Sequence, residues 1–172
     1  MMPYPENLLK KAASIALVIT DVDGVLTNGQ IYYNNQGETI TGFHIQDGLG
    51  IRLLLKNHIP VGILTGRKNP AVMHRMRELG VEHVYQGLSD KIPAYETLLK
   101  TLKLSDAEVA YIGDDIPDLP VLQRVGLSVS PADGNGQITQ ITDWVTQSKG
   151  GQGAFRELAD LIFKAKNINV LV

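Results

Sequence analysis

No cysteine occurs anywhere in the 172 residues, which excludes disulfide bonds and thiolate chemistry and fits a reducing compartment. A large excess of charge of either sign is also missing. The chain has 16 Lys and Arg against 18 Asp and Glu, a formal net charge of -2, so it offers no basic field for a phosphate backbone and no nucleic-acid partner is expected. No apolar stretch reaches the ~18 residues of a membrane span. Lys10 and Lys11 precede an apolar run from Ala12 to Ile19, as in a signal peptide, but the run is short, leads straight into Asp21 and Asp23, and lacks a small-residue cleavage site. Repeats, low-complexity tracts and linkers are absent too. The expectation is one soluble, cytoplasmic domain over residues 1–172 with a small molecule as partner. A chain of this length buries roughly 70% of the surface its unfolded form exposes.

What is present is organised around Ile15-Ala16-Leu17-Val18-Ile19-Thr20-Asp21-Val22-Asp23-Gly24. The apolar, largely β-branched run Ile15–Ile19 has the character of a strand buried on both faces. It ends abruptly in two carboxylates. In an open α/β sheet the carboxyl ends of the strands are where ligands bind. Burying two like charges there costs several kcal/mol unless a cation or a proton joins them.

Strand and helix patterns alternate along the rest of the chain. A short leading helix is expected near residues 5–12, with Pro5 at its start and lysines at its end. Gln30–Tyr33 and Glu38–Ile45, separated by Asn34, Asn35 and Gly37, read as a β-hairpin, an insertion of about residues 28–46. Asp47 is placed to cap a helix over Ile51–Asn57. Further strands are expected at Pro60–Leu64, Glu82–Tyr85 and Val109–Gly113, with short ones at Leu127–Val129 and Trp144–Thr146. Helices are expected at Pro70–Leu79, from Ser89 or Asp90 to about Leu102, at Pro117–Arg124 and at Ala154–Lys166. This alternation argues a parallel, doubly wound (Rossmann-like) α/β sheet.

The unusual polar residues then fall at strand ends: Asp21 and Asp23 after the first, Thr65 after the second, Lys91 after the third, and Asp114, Asp115 and Asp118 after the fourth. All face one crevice. Carboxylates without cysteine or paired histidine favour a hard cation, and Mg²⁺ takes one or two carboxylates plus phosphate oxygens. Thr65 and nearby backbone N–H groups can donate to phosphate, and Lys91 can neutralise its charge. Together these describe phosphoryl transfer, with an Asp as the nucleophile.

In this light Asp21-Val22-Asp23-Gly24-Val25-Leu26-Thr27, Thr65-Gly66-Arg67, Lys91 and Gly113-Asp114-Asp115-Ile116-Pro117-Asp118 resemble, in order, the four motifs of the haloacid dehalogenase-like phosphatases. Three further segments bring roughly residues 8–166 closer to the 3-deoxy-D-manno-octulosonate 8-phosphate phosphatase group: Phe43–Gly48, Tyr85–Lys91 and Gly150–Glu157. The resemblance implies a fold without a cap domain. It implies Asp21 as nucleophile, Asp23 as general acid and base, and Mg²⁺ held by the Asp21 side chain, the Asp23 carbonyl and Asp114, with Asp115 or Asp118 in support. It also implies Thr65, Gly66 and Lys91 on the phosphoryl group, Arg67, Asp47 and Gly48 near a sugar acid phosphate substrate, and a homotetramer built through the hairpin. By the same resemblance the Gly150–Gly153 run is a loop closing over the site.

Two departures concern the substrate. Gln46 and Gln152 stand where many members of the group carry Arg, and glutamine cannot supply a bidentate cation to a sugar carboxylate. Related nonulosonate 9-phosphate phosphatases are therefore an alternative. A phospho-accepting receiver domain also gathers acids, a Thr and a Lys at a sheet edge, but its phosphorylated Asp follows the third strand, where this chain has Lys91. Several residues keep plainer readings as well: Asp118 and Asp47 as helix caps, Arg67 as surface cover, and the four histidines as surface or packing residues, with His44 alone placed near substrate.

Overall fold

The computed structural model describes residues 4–170; the outermost residues of the expected 1–172 domain lie outside these described residues. Helix α1 (Glu6–Ala13) leads into β1 (Leu17–Thr20), whose four residues are all buried. A hairpin of two-residue strands follows, β2 (Tyr32–Tyr33) and β3 (Thr39–Ile40), antiparallel with Tyr32 opposite Ile40. Its turn is closed by the Asn34 side chain, which accepts from the N–H groups of Gln36 and Glu38. The chain continues through α2 (Ile45–Lys56), β4 (Val61–Thr65), α3 (Pro70–Leu79), β5 (His83–Gln86) and α4 (Ile92–Leu102). It ends with β6 (Val109–Ile112), α5 (Leu119–Leu122), β7 (Leu127–Ser130), α6 (Gly136–Thr139), β8 (Trp144–Val145) and α7 (Ala154–Ala165).

The main sheet has strand order β5-β4-β1-β6-β7-β8, and every neighbouring pair is parallel. Strand alternation divides the core. Val18, Val61, Ile63, Ala110 and Ile112 pack on one face against Leu8, Ile51, Phe155, Leu158 and Ile162 of α1, α2 and α7. Leu17, Ile19, Leu64, Val109 and Tyr111 pack on the other against Tyr95, Leu98 and Leu122 of α4 and α5. Both faces are covered, as all-parallel sheets require. Because β1 lies between β4 and β6, connections leave it in both directions, and a crevice opens at the carboxyl ends of the central strands.

Helix α2 begins at Ile45, well before the expected Ile51, and therefore takes in Gln46, Asp47 and Gly48. Gly48 and Gly50 disguise it, since each is a poor helix former. Packing explains both glycines: a Cβ on Gly48 would lie 2.3 Å from the Arg75 guanidinium, and one on Gly50 would press on Arg156 and Ala159. Close approach of α2 to α3 and α7 thus overrides propensity. Asp47 does not cap α2, whose first turn has no side-chain cap.

Candidate active site

Each motif is held by the end of an element. The N–H of Asp21 donates to the Ile112 carbonyl at 3.1 Å, tying the end of β1 to β6. The chain then turns through Gly24, whose φ of 85° favours glycine and whose imagined Cβ would lie 2.1 Å from Asp114 Oδ2. Thr65 is the last residue of β4. Lys91 stands at the start of α4, and Asp114 and Asp115 follow β6, before the single 3₁₀ turn Ile116–Asp118. Asp21, Asp23, Thr65, Gly66, Arg67, Lys91, Asp114, Asp115 and Asp118 all line one open pocket of ≈ 280 Å³. A larger groove of ≈ 700 Å³ beside α3, lined by Lys68, Asn69, Met73 and Arg77 among others, contains no carboxylate.

Lys91 is the electrostatic centre. Its Nζ lies 2.6 Å from Asp118 Oδ1 and 3.1 Å from Asp21 Oδ1, and it donates to the Tyr111 hydroxyl at 3.2 Å. Burial pulls the lysine pKa down, but Asp21 and Asp118 together outweigh it and hold the group above its ordinary value. Asp118 is 1% exposed and its oxygens are fully used. Oδ1 accepts from Lys91 and from the Tyr111 hydroxyl, and Oδ2 from the N–H groups of Asp114 and Asp115. A carboxylate has about four lone-pair sites, so Asp118 orients its neighbours and has little left for a cation.

Asp21 and Asp114 differ from it. Burial, reinforced by the Asp118 charge, raises Asp21 to about 7, against the smaller opposing pull of Lys91. The same two causes raise Asp114 to about 8. Asp21 Oδ1 is buried with no hydrogen-bond donor in geometry, although Lys91 forms an ion pair with it. Oxygens of Asp21, Asp114 and Asp118 lie within 4.8 Å of one another. Hard oxygen donors, an excess of negative charge and a buried carboxylate oxygen met only by an ion pair fit Mg²⁺, with Asp21 and Asp114 as the side chains placed to hold it. Asp23 points elsewhere, with its Oδ1 3.3 Å from Arg67 Nη1.

Comparison with known proteins agrees with this geometry. A family model described as haloacid dehalogenase-like hydrolase matches residues 83–158. The 3-deoxy-D-manno-octulosonate 8-phosphate phosphatase KdsC of Yersinia pestis is 47% identical over 165 residues, covering 96% of this chain and 88% of that protein. This chain belongs to the haloacid dehalogenase-like hydrolases, in the 3-deoxy-D-manno-octulosonate 8-phosphate phosphatase family. Among solved structures, the Yersinia pestis phosphatase superposes with a TM-score of 0.95 at 46% identity, over 96% of this chain and 90% of that one. The phosphatase of Moraxella catarrhalis, in complex with magnesium, phosphate and 3-deoxy-D-manno-octulosonate (KDO), gives 0.92 at 41% identity, over 95% and 94%.

For a member of this family, the strand-end residues read from the sequence do converge, whereas Asp47 and Gly48 do not line the pocket. Asp47 is buried beneath the start of α7, where it accepts from the N–H groups of Gly153 at 3.2 Å and Arg156 at 2.9 Å. It is indeed a helix cap, but of a helix far away in sequence. Tyr111 is the residue the sequence reading missed. Its hydroxyl underpins both Lys91 and Asp118, and the signal was a polar aromatic in a short buried strand two residues before Gly113.

The raised carboxylates carry a pH prediction. Unfolded carboxyl groups titrate near ~4, while Asp21 and Asp114 in the folded chain titrate at about 7 and about 8. Between these limits the folded state binds more protons than the unfolded state, so metal-free protein loses stability as pH rises through the window. Mg²⁺ binding must displace those protons. Its stabilising effect on the thermal midpoint of chelator-treated protein is therefore expected to be larger near pH 8 than near pH 6, and an equal shift at both would contradict the raised values.

Proposed function

We propose that this protein is a Mg²⁺-dependent phosphatase that hydrolyses 3-deoxy-D-manno-octulosonate 8-phosphate to KDO and phosphate. The carrying observation is the pocket in which Asp21, Asp23, Thr65, Lys91 and Asp114 meet at the carboxyl edge of the sheet. Support for the substrate comes from the family relatives.

Thr65, the backbone at Gly66 and the Lys91 ammonium receive the phosphoryl group, with Lys91 set at the correct depth by Asp118 and Tyr111. A carboxylate oxygen of Asp21 attacks phosphorus in line with the sugar oxygen. As the P–O bond to the sugar breaks, Asp23 gives its proton to the departing oxygen, leaving an aspartyl-phosphate. Asp23, now ionised, takes a proton from water, whose oxygen attacks phosphorus and releases phosphate from Asp21. Arg67, beside Asp23 at 3.3 Å, holds that carboxylate at the mouth of the pocket and faces the substrate. Held by Asp21, Asp114 and the main-chain carbonyl of Asp23, Mg²⁺ would keep Asp21 ionised and draw charge from the phosphoryl oxygens.

A phosphate-release screen over eight- and nine-carbon sugar acid phosphates, with hexose phosphates as controls, tests the assignment. Preference for the eight-carbon acid is expected. Preference for a nine-carbon acid would move the enzyme to the nonulosonate alternative raised by Gln46 and Gln152.

The reading extends to a single catalytic unit that works as a homotetramer in the cytoplasm. Its support is the hairpin, which leaves Tyr32, Tyr33 and Ile40 about half exposed or more, close in sequence to the exposed Ile45 of α2. Apolar surface of this kind marks an association site. Light scattering is expected to give four times the chain mass, and a monomer would refute the assembly. Among the described residues no helix is long and apolar enough to cross a membrane.

A further inference from the structure

The turn that carries Asp23 is compressed from two sides. On one side Gly24 abuts the Asp114 carboxylate. On the other it meets Gly150, where an added Cβ would stand 1.8 Å from the Gly24 carbonyl oxygen. Next to it Gly151, at φ 66°, donates its N–H to the Val25 carbonyl at 2.8 Å, and a Cβ there would lie 2.5 Å from the Asn28 nitrogen. Gly150–Gly153 is itself fixed at both ends by carboxylates. Asp133 Oδ1 accepts from the Gly150 N–H at 2.8 Å, and Asp47 accepts from those of Gly153 and Arg156.

None of these glycines lines the pocket of its own chain. Glycine at 150 and 151 lets one backbone lie directly against another, a contact a side chain would prevent. The Asp47 clamp also has a definite origin. Asp47 is buried on α2 and caps the N-terminus of α7, where an acidic acceptor satisfies orphan N–H groups.

We propose that the segment Gly150–Gly153, anchored by Asp47 and Asp133, is a brace that fixes the Asp23-bearing turn in position for proton transfer. Asp47 is then a positioning residue, acting through the brace rather than on substrate. The inference rests on the reading of Asp23 as general acid, so the test separates the two.

Proton donation matters when the leaving group is a sugar alkoxide and matters little when it is nitrophenolate, which departs without a proton. Asp23→Asn serves as reference: in single-turnover release of the leaving group, which precedes the hydrolysis of the aspartyl-phosphate that both substrates share, it is expected to slow the sugar phosphate by ~100-fold or more and p-nitrophenyl phosphate far less. Gly150→Ala pushes a methyl against Gly24, and Asp47→Ala releases the other end of the brace. Both are expected to show the same bias in that first step, with the single-turnover rate for the sugar phosphate falling about tenfold or more, that for p-nitrophenyl phosphate staying within about threefold, and little change in substrate affinity. Gly136→Ala, at a glycine with nothing within 4 Å, is expected to leave both rates unchanged.

Thermal unfolding of each variant accompanies the kinetics. If Gly150→Ala does not fold, Asp47→Ala decides. Equal losses on both substrates, or no loss, in the decisive variant would overturn the brace. Absence of bias in Asp23→Asn itself would overturn the general-acid reading beneath it.

Discussion

Asp21→Asn is expected to lose turnover by at least about 10⁴-fold while becoming more resistant to heat in the absence of metal. The two effects share one cause. The carboxylate is buried close to Asp118, which raises it to about 7, so its ionised form opposes folding near neutrality and an amide of the same shape removes that opposition. The amide oxygen can still meet Lys91, but it cannot form an aspartyl-phosphate. Steady-state phosphate release and a thermal melt in chelator measure the pair. Undiminished turnover would remove Asp21 as nucleophile. A long-lived phosphorylated Asp21 without turnover in the unaltered protein would instead favour a receiver-type signalling role.

Lys91→Met should act in the opposite sense on stability. Its ammonium is 3% exposed as a residue and bridges Asp21 and Asp118 at 3.1 and 2.6 Å. Removing one member of a buried charge cluster leaves the others uncompensated, at about 3–5 kcal/mol. For a chain of this size that lowers the melting temperature by roughly 10 °C. Turnover should fall by about 10²–10³-fold or more, since a positioned cation on the phosphoryl oxygens is lost. Mg²⁺ should restore part of the stability and none of the rate. Unchanged stability in chelator would mean that water, and not Lys91, balances the two carboxylates.

How much of this could be read from the chain depended on whether the responsible interaction was local. β1 and the strands beside it announced themselves as apolar runs cut off by Asp, Thr or Gly, and the polar residues that follow them do meet in one pocket. The start of α2 was hidden because Gly48 and Gly50 answer to helices α3 and α7, which no local window contains. Asp47 was legible as a cap, yet its partners Gly153 and Arg156 lie more than a hundred residues on. Asp118 was read as a cap or a metal ligand; it does cap the Ile116–Asp118 turn by accepting from the Asp115 N–H, and its remaining acceptor sites are taken by Lys91, Tyr111 and the Asp114 N–H. Its saturation, and the part Tyr111 plays in it, exist only after the sheet has formed.

The order of the strands also has a consequence in time. β1 is made early, but its neighbours are β4 and β6, and Thr20, which can pair with Ile63 first, finds its second partner only when Ile112 has been synthesised. Helix α1 packs against α7, from the far end of the chain. On a ribosome the strand that ends in the reactive carboxylates therefore waits, apolar and open along one edge, until β6 is made. Long-range parallel pairing of this kind folds slowly and exposes sticky surface meanwhile. A protein shortened within α7 would leave its oldest segments uncovered, and its failure would be seen first at the amino-terminal end.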